Sequence, residues 1–182
     1  MEEDITQDLK EKLDEVNEHS RGWNRYLALT TAVIAVLAAI ASLLSGNYAN
    51  EALIKKNDAV LFQNKASDQW NFYQAKGIKK NLAQSVFEQS GNQKQADEAT
   101  RYGKEQNQIQ KDATGFEKKV EESNKESEAF LHRHHDLAIS VTFFQIAIAL
   151  SAIGALLRRK SFWYLSIGLS IIGIFFLILG IR

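Results

Sequence analysis

The stretch YLALTTAVIAVLAAIASLL, residues 26–44, decides how this chain folds, because it contains no charged residue. A helix needs about 20 mainly apolar residues to cross the hydrocarbon core of a bilayer. Two further stretches of this kind, residues 137–157 and 161–181, lie in the last third of the chain. The sequence therefore predicts an all-α membrane protein with three transmembrane helices and one long polar region between the first two.

The rest of the chain is very polar and lacks two residue types. Mean hydropathy is below zero, so the apolar side chains are concentrated in the three stretches. The 182 residues include no Pro and no Cys. The absence of Pro favours long uninterrupted helices, and the absence of Cys excludes disulfides and thiolate metal sites. No basic stripe alternates with aromatic residues, so we expect no nucleic-acid partner.

Charge places the segments relative to the membrane. The connection Arg158-Arg159-Lys160 is short and basic, which predicts that it stays in the cytoplasm. The N-terminus is then cytoplasmic and the polar region extracytoplasmic. The predicted segments are an acidic amphipathic helix (1–25), a first span (26–45), a helical hairpin (46–136), a second span (137–157), a basic turn (158–160) and a third span (161–181).

Two patterns predict helix-packing faces. Residues 1–25 carry an amphipathic stripe; a solvated charged helix is the favoured interpretation, and a contact with the basic turn through opposite charge is the alternative. Two of the spans carry small side chains on one face, which lets helices approach closely in lipid. The three sets are Ile5, Leu9, Leu13 and Val16 in residues 1–25, Ala28, Ala32, Ala35, Ala39 and Ser42 in the first span, and Ser166, Ser170 and Gly173 in the third.

The polar region predicts an antiparallel coiled-coil hairpin that turns near residues 90–92. Its second half has a strict 3-4 spacing, which is typical of a coiled-coil seam. Its first half shows one stripe up to Tyr73 and a shifted second stripe after Gly77. The seam residues are Ala99, Tyr102, Gln106, Ile109, Ala113, Phe116, Val120, Ser123, Ser127 and Phe130; the two stripes are Ala59, Phe62, Ala66, Trp70 and Tyr73, then Ile78, Leu82 and Val86.

The aromatic residues of the hairpin favour self-association. Trp70, Phe72 and Tyr73 cannot all face one partner helix, so a second subunit would cover those left in water. The alternative is that Phe72 lies at the edge of the hairpin, where a single exposed aromatic is ordinary. The residues predicted to make hairpin or oligomer contacts are Trp70, Tyr73, Tyr102, Ile109, Phe116 and Val120.

Few residues are candidates for chemistry. The weak metal candidates His132, His135 and Asp136 share a helical face, but an interfacial role beside the headgroups is the simpler interpretation. We expect no bound metal or cofactor. The spans contain no charged residue, and Gln145 is their most polar side chain. Its expected partners are Ser170 or Gly173 of the third span, in a helix-to-helix hydrogen bond.

Several short segments resemble one protein family. They are Ala28-Leu29-Thr30-Thr31-Ala32, Leu44-Ser45-Gly46-Asn47, Asn50-Glu51-Ala52-Leu53, Lys56-Asn57, Asp68-Gln69-Trp70, Tyr73-Gln74-Ala75-Lys76, Arg133-His134-His135, Gln145-Ile146-Ala147-Ile148-Ala149 and Trp163-Tyr164. From about residue 20 onward the chain resembles the bacterial membrane family of domain of unknown function 4337. The resemblance implies a bacterial inner-membrane protein with this layout, and it implies no reaction.

The sequence predicts a structural role and not catalysis, because it offers no nucleophile and no acid–base pair. We expect a homo-oligomeric, membrane-anchored scaffold or adaptor whose hairpin makes the protein contacts. Its partners would be the lipid bilayer, further copies of itself and, if it is not self-associating, an unidentified protein. The alternative is a passive channel, with a lumen lined by Thr30, Thr31, Ser42 or Gln145.

Overall fold

A computed structural model describes the backbone of residues 2–182 and the side chains of residues 22–182. Within residues 2–182 the chain forms three α-helices and no strand: α1 (Glu2–Ser90), α2 (Gln93–Leu157) and α3 (Lys160–Ile181). The predicted all-α class is confirmed. The stripe predicted within residues 1–25, and its contact with the basic turn, lie outside the residues whose side chains are described.

Two short breaks separate the helices, and each contains a residue with positive φ. Gly91 has φ +64°, and its N–H donates to the carbonyl of Phe87 at 2.8 Å. This is a common way to end a helix, and glycine adopts it without steric cost. Arg158 has φ +49° directly after α2, and the N–H of Arg159 donates to the carbonyl of Gly154 at 3.2 Å.

Each of the three helices contains a segment that is long and apolar enough to cross a membrane, within residues 22–182. The chain divides into two compact units. Residues 1–49 and 132–182 form the apolar unit, and residues 50–131 form the polar unit. Parts of α1 and α2 belong to both, whereas α3 belongs to the apolar unit alone.

The core of the apolar unit is built around Phe144. This side chain is completely buried and packs with five other buried residues, which are Ile34, Ala41, Leu137, Ala147 and Leu177. Two glycines of α3 make room for α2: a Cβ atom at Gly173 would lie 2.8 Å from Phe144 Cε1, and one at Gly180 would lie 2.6 Å from Leu137 Cγ. Glycine at these positions therefore allows α2 and α3 to pack closely.

Buried hydroxyl groups join α2 to α3 inside the apolar unit. Ser140 Oγ donates to the carbonyl of Gly173 at 2.8 Å, and Ser151 Oγ lies 2.7 Å from Ser166 Oγ. These contacts satisfy polar atoms that would otherwise be buried without a partner. The predicted small face of the third span is confirmed, since Ser166, Ser170 and Gly173 are all buried.

The first span does not use its predicted small face within the chain. Ala28, Ala32, Ala35, Ala39 and Ser42 are all exposed. The helix instead buries the positions Leu27, Ile34, Ala41 and Ser45. Adjacent residues of a helix point about 100° apart, so the two faces differ by roughly a third of a turn. The small size of the side chains indicated a face suited to helix packing, but the chain's own helices cover a different face.

The predicted partner of Gln145 is wrong. Gln145 is exposed, and its neighbour Phe144 occupies the place beside Gly173. Ser170 Oγ donates to the carbonyl of Ile167 at 2.8 Å, within its own helix. The depth along the helices was estimated correctly, but a shift of one residue turns a side chain by about 100°.

In the polar unit, the first part of α2 packs antiparallel against α1. Ser127 Oγ donates to the carbonyl of Ala52 at 2.8 Å, and Gln106 Nε2 donates to the carbonyl of Tyr73 at 3.3 Å. As residue numbers rise along one helix, those of the contacting residues fall along the other. All ten seam residues predicted in α2 are buried or half-buried.

The matching face of α1 runs straight, without the predicted shift. Ala52, Ala59 and Ala66 are buried at intervals of seven residues, and Ala83 continues the face further along. The predicted second stripe at Ile78, Leu82 and Val86 is wrong, since these side chains are 70%, 64% and 38% exposed.

Gly77 explains why the face of α1 continues straight. A Cβ atom at this position would lie 2.7 Å from Nε2 of Gln106, so glycine leaves space for a polar seam residue of α2. Large apolar residues beside Gly77 suggested a new packing face, but the contact at Gly77 is made by the amide of Gln106.

Candidate functional site

The aromatic side chains of the polar unit lie mainly between its own two helices. Phe62 and Phe116 stack with ring centroids 6.4 Å apart. Trp70 Nε1 donates to Glu117 Oε1 at 2.8 Å, and the Trp70 ring lies edge-on to Tyr73 at 5.4 Å. The contact residues predicted from the sequence are thus brought together within a single chain.

The other predicted contact residues lie on the same inner face. Ile109 is buried, and Tyr102 and Val120 are half-buried. Phe72 is the exception: it is 49% exposed, and Lys76 Nζ lies 5.2 Å from its ring centroid. One exposed aromatic ring is ordinary on a protein surface, so the aromatic residues give little support to self-association.

Ion pairs hold the register of the two helices in the polar unit. Lys76 contacts Glu105, and Lys55 Nζ lies 2.7 Å from Glu126 Oε2. The hydrogen bond from Lys76 lowers the pKa of Glu105, and the hydrogen bond to Glu126 raises the pKa of Lys55. These pairs are at least partly exposed to solvent, so each contributes little to stability but matches only one alignment of the helices.

A stripe on the outside of α1 differs from the rest of the polar unit. Its ten positions follow a 4-3 spacing from residue 53 to residue 85; all ten are exposed and none is charged. We call them the neutral stripe: Leu53, Asn57, Val60, Asn64, Ser67, Asn71, Gln74, Ile78, Asn81 and Ser85. Leu53 and Val60 come one residue after the buried Ala52 and Ala59, whereas Asn57 comes two residues before Ala59, so the stripe is turned from the buried face by about 100° to 160°.

The outer surface of α2 provides a direct comparison. Ten exposed positions with the same spacing include seven charged residues. They are Asp97, Arg101, Lys104, Gln108, Lys111, Gly115, Lys118, Glu122, Lys125 and Ala129. A charged outer face is typical of a helix in water, whereas the neutral stripe is not. Sequence reasoning missed the stripe because it searched for apolar residues, and the signal is a run without charge at seven-residue spacing.

The predicted metal candidates do not come together as a ligand set. His132 has an 80% exposed side chain, and its Nδ1 lies 3.9 Å from Asp136 Oδ2. His135 is also exposed. Within residues 22–182, no group of three or more His, Cys, Asp or Glu side chains is close enough to hold a metal ion. The neighbouring His134 is instead part of the helix packing, since its Nδ1 lies 2.9 Å from Ser45 Oγ.

The residues suggested for a channel lining have different environments. Thr30 and Thr31 donate to backbone carbonyls of their own helix, and Trp163 Nε1 donates to Thr30 Oγ1 at 3.0 Å. Ser42 and Gln145 are exposed on the surface of the apolar unit. The four side chains therefore do not form one polar wall within the chain.

Comparison with known proteins places the chain in a family. No curated protein and no solved structure matches it. The family described as domain of unknown function 4337 matches residues 23–182, which include parts of both units and of all three helices. The chain therefore belongs to the family of domain of unknown function 4337.

Proposed function

We propose that this protein is a homo-oligomeric, membrane-anchored scaffold of the bacterial inner membrane. In this proposal, the apolar segments of α1, α2 and α3 span the bilayer, and the polar unit is a coiled-coil hairpin that makes protein contacts. The three apolar helices support the anchoring. The seven-residue spacing of Ala52, Ala59 and Ala66 supports the coiled coil.

The observation that carries the proposal is a set of large apolar side chains left in water on α1. Leu53, Ile54, Val60 and Leu61 are between 49% and 62% exposed. Covering a side chain of this size completely is worth about 1.5–3 kcal/mol, and these four have roughly half of that still to gain. Four such residues within two helical turns form a patch that favours association.

A second copy is the most direct cover for this patch. Bilayer anchoring would hold all copies at one height and in one orientation, so the same patch is always available nearby. The loss of rotational and translational freedom on association is also smaller for molecules already confined to a membrane. A non-catalytic role fits the described polar groups, many of which form hydrogen bonds or ion pairs between the helices.

The proposed orientation follows from charge. Arg158, Arg159 and Lys160 are all exposed in the short connection between α2 and α3, which favours a cytoplasmic position. The polar unit would then be extracytoplasmic. The absence of native Cys permits a direct test. A membrane-impermeant maleimide should label Asn92→Cys in intact spheroplasts and should not label Ser161→Cys, and the reverse pattern would show the opposite orientation.

The proposal is tested by the mass of the complex in lipid nanodiscs, measured by native mass spectrometry. We expect a discrete multiple of the 20.5 kDa chain. A monomer at micromolar concentration would refute self-association, and the exposed patch would then indicate a different protein as partner.

A further inference from the structure

The neutral stripe combines apolar residues with uncharged amides in a regular order. Leu53 and Val60 are seven residues apart, and Asn57, Asn64 and Asn71 recur at the same interval between and beyond them. An interval of seven residues keeps side chains on one line when helices coil around each other. The stripe thus has the spacing of a coiled-coil seam, with three apolar and seven uncharged polar positions, and the chain's own α2 does not cover it.

We propose that the neutral stripe pairs with the neutral stripe of a second copy, in parallel and in register, so that Asn57, Asn64 and Asn71 each meet their own counterparts. The inference rests on the proposed membrane anchoring, because helices inserted in one orientation and at one depth meet in parallel and in register. It goes further than self-association by naming the surface and its alignment.

The recurring asparagines indicate which partner binds the neutral stripe. Its amide carries both donors and an acceptor, so two asparagines facing each other satisfy one another. A polar residue at a seam position lowers stability but fixes the register and the number of strands. Three such residues at one spacing match a partner with the same spacing, and a second copy of α1 provides it.

The size of the stripe is sufficient for a specific contact. Residues 53–85 extend about 50 Å along the helix at 1.5 Å per residue, and a helix with side chains is about 10 Å wide. A contact of this size covers roughly 500 Å² on each copy, or about 1,000 Å² in total, which is near the lower limit for a specific interface. A two-fold axis between the copies brings the same face of each against the other.

Disulfide crosslinking tests the inference, and the chain has no native Cys to interfere. Asn57→Cys, Asn64→Cys and Asn71→Cys are made singly in the full-length protein and oxidised in membranes. Each should give a covalent dimer, because a disulfide requires Cα atoms about 4.4–6.8 Å apart. Thr114→Cys is the matched control: it is exposed on α2. The Phe62–Phe116 contact places it near the height of Asn64.

Register is tested by mixing differently tagged copies of two variants. Identical positions should crosslink, whereas Asn57→Cys with Asn71→Cys should not, because these positions would be about 21 Å apart along the axis. Crosslinks between unlike positions, or crosslinks at Thr114→Cys alone, would overturn the inference. Crosslinking to a different protein, or the absence of any crosslinked product, would overturn it as well.

A charge variant gives a second readout that does not depend on oxidation. Asn64→Asp should convert the nanodisc complex to smaller species, and Thr114→Asp should leave its mass unchanged. Helical content measured by circular dichroism confirms that both variants fold. A multimer that persists in Asn64→Asp and fails to crosslink through the stripe would overturn this inference but leave the scaffold proposal intact. A wild-type monomer would overturn both.

Discussion

Replacing Gly173 by Ala tests the close packing of α2 against α3. The added Cβ atom would lie 2.8, 2.9 and 3.2 Å from three carbon atoms of the Phe144 ring. Favourable carbon–carbon contacts lie at about 3.5–4.0 Å, so the ring must move by about 0.7 Å or the helices must separate. Phe144 is completely buried, so the ring cannot turn into open space. Overpacking of this kind costs about 1–3 kcal/mol.

A matched control separates this packing cost from the helix propensity of alanine. Gly168 lies in the same helix, and a Cβ atom added there would meet no heavy atom within 4 Å, so Gly168→Ala changes propensity alone. Alanine is favoured over glycine by up to about 1 kcal/mol in a helix. The two variants share this gain, and the difference between their free energies of unfolding therefore reports the clash with Phe144.

The measurement is reversible unfolding in mixed micelles with increasing sodium dodecyl sulfate. We expect Gly173→Ala to be less stable than Gly168→Ala by about 1–3 kcal/mol. In a double-mutant cycle, Gly173→Ala should cost less in the Phe144→Leu background than in the wild type, because the smaller side chain leaves room for the methyl group. Equal stability of the two alanine variants would refute the close contact between α2 and α3.

Two further predictions concern single polar residues. Lowering the pH should weaken the Lys76–Glu105 contact, because the hydrogen bond from Lys76 lowers the pKa of Glu105 in the folded state. The stabilisation from this contact is fully present at a pH above the ordinary pKa of glutamate, and it is lost as the pH falls through the lowered pKa. Glu105→Gln should remove this part of the acid sensitivity in thermal melts, and an unchanged pH profile would contradict it. Gln145→Leu should stabilise the protein in micelles by about 1 kcal/mol, because this exposed amide lies in a segment that we propose spans the membrane, where water is absent. A destabilised variant would show that Gln145 is covered by a partner.

Much of the fold follows from patterns that reflect burial. The apolar stretches of residues 26–44, 137–157 and 161–181 all lie within helices, and the 3-4 spacing in α2 identified the inner face of the polar unit. Long helices make these predictions reliable because one regular spacing applies over many turns. The small face of α3 was predicted for the same reason, since serine and glycine beside a bulky Phe144 permit close approach.

The errors have a common physical cause. The stripe at Ile78 and Leu82 and the amide of Gln145 are unusual for an exposed surface, and both were therefore assigned to contacts within the chain. The alanine face of the first span was predicted to pack against a helix of this chain or of another, and it is exposed within the chain. A pattern shows that a face is suited to packing, but it does not show which helix packs there. The candidate surface was missed because asparagine and serine look like solvent-exposed residues until they are compared with the charged face of α2.

Within each unit taken by itself, α1 leaves a packing face uncovered. In the apolar unit its exposed face includes Ala28, Ala32 and Ala35, whereas the exposed positions of α3 include large residues such as Ile171 and Phe175 that suit lipid. In the polar unit its exposed face is the neutral stripe, whereas that of α2 is charged and suits water. A surface adapted to lipid or to water differs from one adapted to another helix. By this criterion α1 carries a packing face left uncovered in both units, and it is the helix through which we propose that copies associate.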